Sequence, residues 1–149
     1  MKQKIIIDTD CGMDDIIAIT MIISSGNFTV EGIITVKGLT TPTVGKKNII
    51  KVLKFLNNDI EVVSGSKSPL NKKGVKYSFS KQDVINSSKL LFLQDLLKTE
   101  VYRKQKYSVN RFLFQKVCLN KNKVSLLCLG PLTNIARAIK TYGEKFTKK

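Results

Sequence analysis

The stretch that decides the fold is IIIDTDCGMDDIIAI, residues 5–19. It begins with the short run IIID at 5–8 and continues, after Thr9 to Gly12, into a long and mostly apolar segment at 13–25. The first run predicts a buried strand, and the second predicts a helix that ends at Gly26. Because this helix is apolar nearly all round, we expect it to be covered on most sides.

The rest of the chain repeats this alternation of strand and helix. Residues 28–36, 60–64 and 124–129 predict further strands, and residues 43–56, 83–98, 108–119 and 132–145 predict helices. Residues 65–80 are rich in Lys, Ser and Gly and predict a loop. Strands that alternate with helices in this way indicate an α/β fold, with a mostly parallel sheet and helices on both faces. We expect one domain spanning residues 1–149.

Composition limits the classes of function. The chain has 149 residues, a net charge of +15 and a globular balance of 42% hydrophobic and 25% charged residues. The positive charge is nearly all lysine, since Arg103, Arg111 and Arg137 are the only arginines. Reading of nucleic-acid bases favours arginine, so a solvated lysine surface explains the charge better than a nucleic-acid site does.

Histidine is absent, which excludes any mechanism that uses an imidazole of this chain. The cysteines, Cys11, Cys118 and Cys128, show no CxxC spacing and predict no disulfide framework. We expect Cys11 to be a neutral turn residue, because neighbouring carboxylates raise a thiol pKa, and the other two to lie in the core. The apolar run 16–23 is too short to cross a bilayer. A cytoplasmic protein without a membrane partner is predicted.

Four of the eleven acids lie in one eight-residue window, as Asp8, Asp10, Asp14 and Asp15. In a parallel sheet they fall at the carboxyl edge, where open α/β proteins bind ligands. The dipole of the following helix offsets only about 0.3–1 kcal/mol per charge, so a bound cation explains the cluster better. Oxygen donors predict a hard cation, Ca²⁺ or Mg²⁺, and irregular ligand geometry favours Ca²⁺. The alternative is that two acids cap the turn and helix while the other two are solvated.

Three segments then resemble one family. DTDCGMDD at 8–15, VVSGSKSPL at 62–70 and LLCLGPLTNIARAI at 126–139 are similar, in the same order, to motifs of the inosine–uridine-preferring nucleoside hydrolases, which usually have proline in place of Cys11. The resemblance implies hydrolysis of the N-glycosidic bond of a ribonucleoside such as inosine or uridine, in nucleoside salvage. It also allows a homo-oligomer.

The resemblance implies a role for each candidate site residue. Asp10 would be a calcium ligand and the general base, and Asp15 would be a second calcium ligand. Leu129 would offer its backbone carbonyl to the same ion. Asp14 would bind ribose hydroxyls, and Asp8 would lie behind the ligands and orient them. This chemistry agrees with general principles, since a cation makes water easier to deprotonate and carboxylates stabilise an oxocarbenium-like transition state.

The sequence departs from the family pattern at several points. Family members are longer, and their carboxyl-terminal half supplies a further calcium-binding aspartate and a histidine near the leaving base. Leu39 stands where the family usually has a ribose-contacting asparagine, and NKKGVKYSF at 71–79 lacks the family's His-Gly segment. The resemblance therefore implies the amino-terminal portion of such a hydrolase, with an incomplete sheet.

Two other functions fit part of the sequence. A haloacid dehalogenase-type phosphohydrolase also begins with strand-Asp-x-Asp, and there Asp8 would be the nucleophile and Mg²⁺ the metal. A binding module could keep a calcium or ribose pocket without catalysis. Thr133 and Asn134 stand at a helix start, where capping explains them as well as a site does, so we leave them out of the catalytic set.

Overall fold

The computed structural model describes residues 2–71, 79–89, 105–120 and 123–148. Its centre is a sheet of four parallel strands in the order β3-β2-β1-β4. The strands are β1 (Gln3–Thr9), β2 (Phe28–Thr35), β3 (Val62–Ser64) and β4 (Val124–Cys128). β1 lies between two neighbours because its apolar run Ile5–Ile7 is buried on both faces. The predicted parallel α/β fold is confirmed.

Two helices cover the first face of the sheet. They are α1 (Met13–Ser25) and α2 (Pro42–Phe55). Thr41 caps α2, since its side chain accepts a hydrogen bond from the Val44 N–H, and Pro42 occupies the first turn, where its missing N–H costs nothing. Both helices pack on apolar side chains of the sheet that include Ile5, Ile7, Ile33 and Val62. This packing fixes the turn that joins β1 to α1.

The second face is covered by the later part of the chain. α4 (Val109–Leu113) continues into a π-helical segment, Phe114–Cys118, and α5 (Thr133–Tyr142) is followed by α6 (Glu144–Thr147). Phe112 and Leu113 are fully buried against Ile6, Ile34 and Val63. Helices on both faces agree with the prediction. α3 (Lys81–Lys89) contacts α2, where the Asn48 side-chain amide donates to backbone carbonyls of Ser87 and Ser88.

Several predicted boundaries need correction. The helix predicted at 108–119 changes to π-helical hydrogen bonding halfway, and the helix predicted at 132–145 breaks at Gly143, whose φ of 53° is unfavourable for other residues. Of the helix predicted at 83–98, residues 90–98 lie outside the described residues, as do residues 72–78 of the predicted loop. The described parts of that loop contain no helix or strand.

The expectation that α1 is covered on most sides is wrong. Only Asp15, Ile16 and Ile19 of this helix are buried, whereas Met13, Ile17 and Met21 are 41–67% exposed. These three side chains recur at every fourth residue, so they form one stripe on the face turned away from the sheet. Within the described ranges, no helix is long and apolar enough to cross a membrane.

Candidate functional site

The site is built where β1 ends at the carboxyl edge of the sheet. The Asp8 carbonyl accepts a hydrogen bond from the Leu129 N–H at 2.7 Å, and the Thr9 carbonyl accepts one from the Val36 N–H at 3.0 Å. These bonds extend the sheet beyond the ends of β4 and β2. Asp10, Cys11 and the glycine after them then cross to α1 as a short turn. The acids are therefore anchored to both neighbouring strands.

Asp8 is a buried carboxylate with only one partner. It is 1% exposed; its Oδ1 accepts a hydrogen bond from the Asn134 side-chain amide at 3.0 Å, and its Oδ2 is buried with no partner among the described residues. Its pKa is raised to about 7, first by burial and then by the nearby Asp10 and Asp15 charges, and the Asn134 hydrogen bond offsets part of this rise. An unpartnered buried carboxylate oxygen is costly, so this atom is a candidate for contact with a positive group.

Asn134 contributes to the site, although the sequence did not place it in the catalytic set. It is fully buried, and its amide Nδ2 also donates to the Thr35 carbonyl at 3.2 Å, while its Oδ1 accepts from the Ser66 N–H at 2.8 Å. It does not cap α5, which begins after Leu132 without a side-chain capping bond. Its position in the Gly-Pro-Leu-Thr-Asn segment after a strand was the available signal. Asn134 connects β1 to the ends of β2 and β3.

Asp10 is half-buried and held by the loop after β2. Its carbonyl accepts hydrogen bonds from the Thr40 N–H and hydroxyl, and its Oδ2 accepts from the Leu39 N–H at 2.8 Å. The Leu39 side chain cannot make a polar contact, but its backbone orients the carboxylate. Gly38 allows this approach, because a Cβ there would lie 2.0 Å from the Asp10 Oδ2.

Asp15 lies next to Asp10, in the first turn of α1. It is 5% exposed and accepts a hydrogen bond from the Thr9 hydroxyl, which itself accepts from the Cys11 N–H at 2.9 Å. The Asp15 pKa is raised to about 6, first by burial and then by the charge and hydrogen bond of Asp10, and the Thr9 hydrogen bond offsets part of this rise. Asp14, by contrast, is exposed. The structure therefore brings Asp8, Asp10 and Asp15 together and leaves Asp14 at the rim.

Cys11 forms the bend of this turn. Its side chain is fully buried, and its φ of 62° is in the left-handed region that non-glycine residues rarely adopt. Burial raises its thiol pKa strongly, and Asp15, Asp10 and Asp8 raise it further. A neutral turn residue is what we expected, although burial is a larger cause than the neighbouring charges. Among the described residues, Cys11, Cys118 and Cys128 form no disulfide, and the last two are half-buried.

The residues present fit a hard cation in part. In the part of the chain that the structure describes, no group of three or more His, Cys, Asp or Glu side chains is arranged to hold a metal ion. Asp10 and Asp15 are nevertheless close together, Asp8 has an unpartnered oxygen behind them, and Leu129 follows β4 at the same edge. All of these donors are oxygens, as Ca²⁺ and Mg²⁺ require, and further ligands would have to come from water or other residues.

Fold and site together define an open α/β protein with a carboxylate-lined ligand edge. Comparison with known families gives the particular class. The chain belongs to the inosine-uridine preferring nucleoside hydrolases, whose family model matches residues 5–149. The resemblance seen in the three sequence motifs is confirmed. The family is generally metal-dependent.

Two sequence relatives and one solved structure match over nearly the whole of this chain. A probable uridine nucleosidase 2 of Oryza sativa subsp. japonica is 34% identical over 140 residues, which are 93% of this chain and 40% of that protein. The pyrimidine-specific ribonucleoside hydrolase RihA of Escherichia coli O81 is 28% identical over 99% of this chain and 46% of its own length. The solved plant nucleoside hydrolase PpNRh1 matches with a TM-score of 0.77 and 27% identity, over 97% of this chain and 45% of its own. The chain spans less than half the length of these relatives.

Proposed function

We propose that this chain supplies the acidic, calcium-binding part of a site that hydrolyses the N-glycosidic bond of ribonucleosides. The observation that supports this most is the group of buried Asp8 and Asp15 with half-buried Asp10 at the carboxyl edge, in a chain whose family match covers residues 5–149. Names of relatives favour uridine or another pyrimidine nucleoside as substrate. A cytoplasmic location and a homo-oligomer remain predictions.

The roles follow from how each side chain is held. Asp10 and Asp15, with the Leu129 carbonyl, would hold the cation. Bound Ca²⁺ would offset the charge of the acids and make water easier to deprotonate. Because the Leu39 N–H fixes its Oδ2, the Asp10 carboxylate has a defined orientation and can accept a proton from water as the general base.

The remaining acids act around this pair. Asp14 is exposed at the rim, where it can accept hydrogen bonds from ribose hydroxyls. Asp8 is too deeply buried to reach a substrate, and it orients the turn and adds negative charge near the sugar. That charge favours an oxocarbenium-like transition state. The same burial argues against the phosphohydrolase alternative, in which Asp8 would have to attack a phosphate.

Release of reducing sugar from uridine and inosine, with calcium present, tests the catalytic role. Any ribose release by the 149-residue chain should be abolished in Asp10→Asn, which we expect to remain folded, and unchanged in Asp83→Asn. Asp83 is a matched control, since it is an exposed aspartate in the first turn of α3. Equal release by Asp10→Asn would exclude Asp10 as the base.

Calcium binding gives a second measurement that does not depend on activity. A ligand that binds only the folded state raises the free energy of unfolding. We expect Ca²⁺ to raise the melting temperature of the chain, and Asp15→Asn to lose most of that shift while Asp83→Asn keeps it. A calcium shift without ribose release would favour the binding-module alternative. No shift in any variant would contradict the proposed calcium site.

A further inference from the structure

A second cavity lies along the outer side of β3, away from the acidic turn. Its volume is about 630 Å³, which is within the usual range for small-molecule sites. One wall is α2 and the other is the segment 105–107, while β3 forms the floor. No residue from 8–15 lines it. It is therefore separate from the proposed hydrolase site.

On the floor of the cavity, the backbone N–H and C=O of Val62 are available for hydrogen bonding. The Glu61 carbonyl and the Gly65 N–H bond to β2, so by alternation Val62 and Ser64 direct their N–H and C=O groups outward. The Gln105 side-chain amide occupies the outward groups of Ser64: its Oε1 accepts from the N–H at 2.9 Å, and its Nε2 donates to the carbonyl at 3.2 Å. No hydrogen bond within the described ranges occupies the outward groups of Val62.

The rim of the cavity carries positive charge. Lys46, Lys54 and Lys106 line it, and none of them makes an ion pair with a residue that the structure describes. Two acids, Asp59 and Glu61, also line the cavity, so its three lysines exceed its acids by one charge. The Glu61 carboxylate accepts a hydrogen bond from the Tyr107 hydroxyl. Burial lowers the pKa of Lys46, and Glu61 offsets this only in part. An anion beside these lysines would be stabilised by charge-assisted hydrogen bonds.

We propose that this cavity binds a small organic anion that presents an N–H and a C=O on one planar edge, as a lactam or carboxamide does. The edge would pair with Val62 in the way that the Gln105 amide pairs with Ser64, and a phosphate or carboxylate would reach the lysines. An added peptide strand fits less well, because Gln105 leaves only one residue of β3 free to pair.

Calorimetric titration with uridine 5′-monophosphate, in the presence of a chelator, tests this proposal. This probe combines a lactam edge with a phosphate. We expect saturable binding, and about tenfold weaker binding of the 3-methyluridine analogue, which has lost the N–H of that edge. Inorganic phosphate alone should bind more weakly still. Equal binding of the methylated analogue, or no saturable binding of the probe at millimolar concentration, would overturn the proposal.

Variants then locate the binding. The double variant Lys46→Gln/Lys106→Gln should weaken binding by about tenfold or more, since it removes two charge-assisted hydrogen bonds to the anion. Lys47→Gln is the matched control, because Lys47 is exposed on the same helix and does not line the cavity. Asp10→Asn should bind the probe normally, whatever becomes of hydrolysis. Binding lost in Asp10→Asn but kept in the lysine variant would place the probe in the acidic site and overturn the proposal.

Discussion

Asp8 at the carboxyl edge of β1 and Ser64 at the lateral edge of β3 differ in how fully their polar groups are hydrogen-bonded. At the carboxyl edge, Asp8 is buried with one partner for two oxygens. At the lateral edge, the Gln105 amide satisfies both outward groups of Ser64, and Tyr107 donates to Glu61. The first arrangement costs stability and the second adds to it. Unsatisfied buried charge therefore indicates function, whereas satisfied polar groups at a strand edge indicate protection of the strand.

The largest expected effect on stability is at Asn134, whose side-chain amide donates a hydrogen bond to the buried Asp8 carboxylate. Asn134→Ala removes the hydrogen-bond partner of the Asp8 Oδ1 and of the Ser66 N–H, whereas the Thr35 carbonyl keeps the bond that it accepts from the Gly65 N–H. We expect the free energy of unfolding to fall by roughly 3–5 kcal/mol in urea denaturation. Asn86→Ala, at an asparagine whose side chain is in an exposed hydrogen bond on α3, should change it by less than about 0.5 kcal/mol. If Asn134→Ala and Asn86→Ala lost similar amounts of unfolding free energy, Asn134 would not be what stabilises the carboxyl edge.

A smaller effect is expected at the lateral edge. Gln105→Ala leaves the N–H and carbonyl of Ser64 without protein partners, but Ser64 is only half-buried, so water can replace part of the loss. We expect a decrease of about 1–2 kcal/mol in the free energy of unfolding. Gln115→Ala, at an exposed glutamine, is the control. If both variants are equally stable, the Gln105 amide does not protect the edge.

Asp8→Asn, by contrast, is expected to raise the free energy of unfolding. Above pH 8 the buried Asp8 carboxylate is ionised, since its pKa is about 7. Without divalent cations, neutralising this charge should raise the free energy of unfolding by about 1 kcal/mol, although the new amide also lacks a second partner. Added calcium should stabilise the wild type and reduce the difference. A destabilised Asp8→Asn under chelation would show that the carboxylate is not a net cost.

The smallest effect concerns the Tyr107 hydroxyl. Its hydrogen bond to the Glu61 carboxylate raises the Tyr107 pKa from 10.0 to about 12. A group whose pKa is higher in the folded state stabilises the protein at any pH below its unfolded-state pKa. This stabilisation is lost as the pH rises through the folded-state pKa. At pH 9 we expect the free energy of unfolding of the wild type to be about 0.5 kcal/mol higher than that of Tyr107→Phe. This difference should shrink between pH 10 and 12. A difference that grows with pH would contradict this assignment.

The sequence predicted the features that depend on local residue patterns. Apolar periodicity placed all four strands and the two helices of the first face within one or two residues, and the position of the acids after β1 indicated the ligand edge. It did not reveal the roles of Asn134 and Gln105, because their partners lie 126 and 41 residues away along the chain. Capping explained the asparagine as well as a site did, and only tertiary contact distinguishes the two.

The long separation between Asp8 and Asn134 also sets an order for folding. β1 is synthesised well before its neighbour β4 and the amide that binds Asp8, which follow more than 100 residues later. Contacts so distant in sequence close slowly. The nascent chain therefore exposes β1 on one side, with its acids still hydrated, until β4 and α5 have been made. Assembly of the acidic edge is then a late step, so ribosome-bound intermediates should lack any calcium-dependent protection.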